Sequence, residues 1–99
     1  MSLLSFVNSP SYVEALCDAA AAGHTRIMRA LVEEGGVEAG SRSARGMTAL
    51  IAAAGEGEVE AARMLVSEWG VDANKAHVDS GATPLYIASE KGHTELARM

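Results

Sequence analysis

The sequence predicts an all-α fold in which helical units of one kind stack side by side. Three observations predict it. The segments Glu14 to Arg29, Thr48 to Arg63 and Thr83 to Arg98 align without gaps. Leu16, Leu50 and Leu85 then share one column, Ala19, Ala53 and Ala88 a second, Gly23, Gly57 and Gly92 a third, and Arg29, Arg63 and Arg98 a fourth. The glycines recur at intervals of 34 and 35 residues, too long for a heptad and typical of a supersecondary unit repeated along the chain. Hydrophobic residues make up 48% of the chain but aromatic ones only 4%, so the core is built from Ala, Leu, Val, Ile and Met, whose small side chains let helices approach closely. Units of this size contact only their neighbours and form an elongated stack that presents loops along one side.

The first helix is expected to begin at Ser9 and Pro10, an N-cap followed by proline at the first helical position, or at the capping box of Ser11 and Glu14. It runs through Tyr12, Ala15, Leu16 and Ala19 to Gly23, which supplies the left-handed conformation of a tight turn. A second helix, about 25–33, places Ile27, Met28, Leu31 and Val32 on its apolar side. Gly35 and Gly36 stop it, and Val37 to Met47, rich in Gly, Ser and Arg, reads as an exposed loop. The cycle then repeats. Thr48 caps a helix ending at Gly57, a partner helix spans about 59–68, and Gly70 to Ala82 form the next loop. Thr83 and Pro84 cap the third first-helix most strongly, because proline at N1 sacrifices no helical hydrogen bond. Upstream, Leu3, Leu4, Phe6 and Val7 have the spacing of a short turn that could cover the end of the stack, or serve as a docking peptide.

The formal net charge of −5 and pI near 5.0 argue against nucleic acid, whose recognition needs Lys and Arg clustered on one face. Cys17 has no second cysteine to pair with, which favours a reducing compartment, the cytoplasm with the nucleus as alternative. The opening MSLLSFVNSP has no basic n-region and too short an apolar run for a signal peptide or membrane span. A leaderless, soluble chain is expected.

TPLYIASEKGHTELARM at Thr83 to Met99 closely resembles the ankyrin repeat, whose pattern runs TPLHxAAxxGHxxxVxxLL. TALIAAAGEGEVEAARMLV is a weaker second copy, and EALCDAAAAGHTRIMRALV a third without the capping Thr. The pieces GGVEAGSRSARG and WGVDANKAHVDSG also resemble the family's hairpin loop. The resemblance implies a solenoid of antiparallel helix pairs joined by β-hairpin-like loops. It divides the chain into a tail at 1–10 and a repeat domain at 11–99, with repeats at about 11–44, 45–79 and an incomplete 80–99. It also implies that partners are gripped by hairpin tips, here Ala44, Arg45 and Met47, then Asp79, Ser80 and Ala82. The exposed ends of the first helices join them: Ala21 and Ala22, Gly55 and Glu56, Glu90 and Lys91.

The departures are informative. The family's His after TPL is replaced by Cys17, Ile51 and Tyr86, so its polar network between repeats is lost or remade. Gly55 stands where a helix former is normal, at a cost of roughly 1 kcal/mol. The third repeat breaks off before its last two apolar positions, each worth about 1.5–3 kcal/mol of burial. An open end of this kind is expected to be covered by further repeats or by another copy.

No residue pattern calls for catalysis, cofactor or metal. His24 and His93 occupy the family's GH position, where the imidazole tidies a turn, and His77 falls in a loop with no zinc-like ligand spacing around it. Cys17 has Ile51 and Tyr86 as repeat counterparts, which marks a core position and not a nucleophile. Glu56, Glu58 and Glu60 alternate along a helix turn and diverge. Trp69, at the mouth of a loop, is either a plug for the helix end or a partner anchor.

The chain is therefore expected to be a non-catalytic protein-binding module. Its candidate partner-binding residues are Arg45, Met47, Glu56, Trp69, Asp79, Ser80, Glu90 and Lys91. The competing expectations are a scaffold piece of a larger enzyme or regulator, and self-association through the unfinished C-terminal end.

Overall fold

A computed structural model describes residues 10–77 and 80–97. The turn expected at Leu3 to Val7, the cap at Ser9 and the tip position Asp79 lie outside the described residues. The helices are α1 (Pro10–Ala22), α2 (Thr25–Arg29), α3 (Ala49–Glu56), α4 (Val59–Arg63), α5 (Pro84–Glu90) and α6 (Thr94–Ala97). No strand occurs among the described residues. The expectation of an all-α solenoid holds, and the molecule is elongated, 45 × 27 × 20 Å.

Local chemistry sets these boundaries. Thr48 and Thr83 are extended and accept hydrogen bonds at their Oγ1 from the amides of Ile51 and Tyr86, both at 3.2 Å. Gly23, Gly57 and Gly92 adopt φ of 74°, 73° and 77°, so each first helix ends in a left-handed residue that reverses the chain into the second. A residue with a Cβ would be strained there.

The second helices end in a way the sequence did not announce. The last turn of α2 widens over Ala30–Glu34 and that of α4 over Met64–Glu68. Gly35 and Trp69 donate five residues back, to Ala30 and Met64. Gly36 and Gly70 then take positive φ, and Val37 and Val71 donate to the carbonyls of Leu31 and Leu65 at 3.0 and 2.9 Å. This returns the two valines to the core. The segment from Val37 to Met47 is thus not the wholly exposed loop its composition suggests: Val37, Ala39 and Ser43 are buried.

Each long loop bends back without forming a β ladder. Ser43 donates to the Met47 carbonyl at 2.8 Å, and His77 to that of Ala82 at 2.8 Å. Two cations tie the loops together. Arg42 donates to the Gly46 and Ala76 carbonyls at 3.2 and 2.6 Å, and Lys75 to the Gly40 carbonyl at 2.6 Å.

The first helices form an inner row, α1 against α3 and α3 against α5, while α2, α4 and α6 touch each other more sparingly outside them. Ala20, Ala49, Ala53, Ala61 and Ala62 are fully buried along this seam, together with Leu16, Met28 and Leu65. The columns behave alike where a neighbouring unit covers them: Leu16 is 1% exposed and Leu50 4%. Leu85, in the same column, is 56% exposed because no unit of the structure lies beyond it. It borders a cleft of about 210 Å³ with Ala62, Val66 and Leu96.

A second column explains how successive units lock. The His93 ring lies over Gly57, where an added Cβ would come within 2.8 Å of it, and Nε2 donates to the Gly55 carbonyl at 3.3 Å. The Glu58 carboxylate lies over Gly23 in the same manner. A Cβ added at Gly92 would meet nothing within 4 Å among the described residues. His93 thus performs the turn-tidying role expected of it, while His24 is exposed at the N-terminal end of the row.

Candidate functional site

The inner helices and the first loop enclose a groove of about 430 Å³. It is lined from α1 by Cys17, Asp18 and Ala21, and from α3 by Ile51, Ala52 and Gly55. Arg45 and Met47 of the loop bound one side, and Glu56, Ile87, Glu90 and Lys91 the other parts. Five of the eight candidate partner-binding residues, Arg45, Met47, Glu56, Glu90 and Lys91, meet here, together with the helix-end positions Ala21 and Gly55. The elements dictate this arrangement. Helices stacked at a fixed period put the same face of each unit on one surface, and the loop bends over its edge.

The two ends of the groove differ electrostatically. Arg45 Nη2 is paired with the Glu14 carboxylate and lies 3.9 Å from Asp18 Oδ1, so the cation is already engaged. Among the described residues, no ion pair engages Glu56, Glu90 or Lys91. Glu90 accepts a hydrogen bond from the Tyr86 hydroxyl at 3.3 Å.

Cys17 sits under the Arg45 end, 2% exposed, with Sγ 4.0 Å from the Met47 carbonyl oxygen. Burial, and then the charges of Glu14 and Asp18, push its thiol from 9.0 to about 11. The thiolate, the reactive form, is therefore disfavoured. Since the unfolded thiol ionises near 9.0 and the native one near 11, the unfolded state holds fewer protons between those values, and stability falls as pH rises through that window. We expect Cys17 to react with a disulfide reagent at pH 8 far more slowly in the native chain than in urea. Equal rates would contradict the burial.

The remaining candidates lie elsewhere. Trp69 borders a separate surface hollow of about 460 Å³ with Val32, Val37 and Val71. It packs against the core and donates from Nε1 to Glu33 Oε2 at 3.2 Å. Glu33 also accepts from Arg29, which bonds Glu68 at 3.1 Å, so the indole belongs to a network across the outer helices. Of its two expected roles, this contact set matches the plug. Ser80 is exposed on the second loop, where its Oγ accepts from the Ala82 amide at 3.3 Å, and it does not line the groove. The three glutamates diverge as expected: Glu56 to the groove, Glu58 onto Gly23, Glu60 to Arg63 at 2.6 Å.

Sequence reasoning missed Asp18, Ala52 and Ile87 as groove residues. They share one register column. That column was a usable signal, because the inner surface recurs with the repeat. Among the described residues no group of three or more His, Cys, Asp or Glu could hold a metal ion. None of the described helices is long and apolar enough to cross a membrane.

A comparison with curated proteins finds no match. The family model for ankyrin repeats, three copies, matches residues 16–99. Register columns, left-handed glycines, Thr caps and the two-row stack all agree with that match, and the chain belongs to the ankyrin-repeat family.

Proposed function

We propose that the chain is a non-catalytic protein-binding module that takes its partner in the groove over the inner helices. Ankyrin repeats are generally protein–protein interaction modules. The observation that carries the reading is convergence: Arg45 and Met47 from a loop, Glu56 from α3, and Glu90 with Lys91 at the end of α5 border one hollow. Its lining combines apolar Cys17, Ile51 and Ile87, of which Cys17 and Ile51 are buried, with the charged side chains of Arg45, Glu56, Glu90 and Lys91, the mixture found in interfaces with a desolvated centre and a wet rim. The bonds of Arg42 and Lys75 between loops fix the groove's edge, so docking orders little backbone. Trp69 and Ser80 are secondary contacts at most, since neither borders this surface.

An end-to-end pair of copies in the same register is disfavoured on this reading. It would set Asp18 of one copy, in the column of Ile87, against Glu90 of the other, in the column of Gly55.

The test is affinity capture with the immobilised chain and mass spectrometry, run beside an Arg45→Ala/Met47→Ala variant. The variant should keep its helical circular dichroism and lose capture by about fivefold or more. Full retention of capture would remove the groove's edge from the binding surface.

A further inference from the structure

Gly55 is the least explained residue of the groove. It lies in the last turn of α3, where glycine weakens a helix relative to alanine. Its φ is not among the positive values of the chain, and an added Cβ would meet only Ile87 Cγ2, at an ordinary 3.8 Å. Neither backbone conformation nor packing asks for glycine here. What its missing side chain does is lower the floor beside Ile87, at the end of the groove bordered by Glu56 and Glu90. Lys91 shares this rim and leaves it one net negative charge, while the groove's other cation, Arg45, is held by Glu14 and Asp18 at the far end.

We propose that this notch seats an arginine or lysine side chain of the partner, its aliphatic stem over Gly55 and Ile87 and its cationic head at the carboxylates of Glu56 and Glu90. A long basic side chain combines an apolar stem with a charged tip, which matches a low apolar floor beneath an acidic rim. The proposal rests on the groove being the partner surface and adds the chemistry of what enters it. The occupant is a peptide segment carrying one basic residue between apolar neighbours.

The probe is the capped peptide Ala-Leu-Arg-Leu-Ala, together with its citrulline counterpart, which keeps the shape of arginine without the charge. Each is titrated into the isotope-labelled chain and followed by amide chemical shifts. The arginine peptide should move the resonances of Gly55, Glu56, Ile87 and Glu90. It should bind about fivefold more tightly than the citrulline peptide, the scale of an exposed ion pair, and lose that margin as salt rises. Glu56→Gln/Glu90→Gln should erase the difference, while Glu34→Gln/Glu95→Gln, removing the same charge elsewhere, should leave it. Gly55→Leu, filling the notch, should abolish both titrations with the amide spectrum otherwise retained.

Equal affinity for the two peptides, shifts confined to another surface, an unaffected Glu56/Glu90 variant, or no binding at all would each overturn the proposal. If capture nevertheless depends on Arg45 and Met47, the groove remains the partner surface and only the basic side chain is wrong. If neither assay involves the groove, both fail.

Discussion

Leu50→Ala should lower stability by about 2–5 kcal/mol, the range for emptying a leucine site in a packed core. Leu50 is 4% exposed and belongs to α3, the helix that packs against both α1 and α5. For a small repeat array with a total of only about 5 kcal/mol or somewhat more, that loss leaves a substantial unfolded population at room temperature. Leu85→Ala changes the same residue in the same register column, yet it should cost under about 1 kcal/mol, because Leu85 already spends most of its surface in water. Urea titration followed by circular dichroism at 222 nm reads both. Similar losses at the two positions would mean that Leu85 is covered in solution and that the row does not end where it does here.

Gly57→Ala should be the second most damaging single change, at roughly 2–3 kcal/mol. Two contributions combine. A Cβ at a φ of 73° costs about 1–2 kcal/mol, and the same carbon would come within 2.8 Å of the His93 ring, displacing its bond to the Gly55 carbonyl, worth about 0.5–1.5 kcal/mol. Gly92→Ala carries only the first contribution, since among the described residues nothing lies within 4 Å of the added Cβ. Gly23→Ala falls near Gly92→Ala, because the group in its way is the end of the flexible Glu58 side chain. His93→Ala should cost less in the Gly57→Ala background than in the native chain, because the clash is relieved and the bond is already lost, and denaturation midpoints for the four proteins make the cycle. Equal losses at Gly57 and Gly92 would show that the imidazole contributes nothing to the seam.

Much of this was legible in the sequence, for reasons that differ by residue. The reversal at Gly23, Gly57 and Gly92 is a local property of glycine, and the caps of Thr48 and Thr83 act on an amide three residues away. Such features need no tertiary context. The wide last turns of the outer helices do, since a bond five residues back competes with the ordinary one only when the following valine has a core to return to. Val37 and Val71 were accordingly hidden inside loops judged by composition.

The groove follows the same division. Arg45, Met47, Glu56, Glu90 and Lys91 could be placed on one surface because a fixed period maps equivalent positions onto equivalent places. Trp69 could not be resolved, as its partner Glu33 is 36 residues distant. Leu85 shows the limit of alignment: a column gives the identity of a position, but burial belongs to whatever stands next to it.

The bare turn at Gly92 has a mechanical consequence. The middle unit meets a neighbour on both flanks, with Glu58 reaching over Gly23 and His93 over Gly57, whereas among the described residues nothing reaches over Gly92. In a linear array, energy of this kind is shared between adjacent members and not pooled across the whole. Among the described units, the α3–α4 pair, held from both sides, should therefore exchange its amides last.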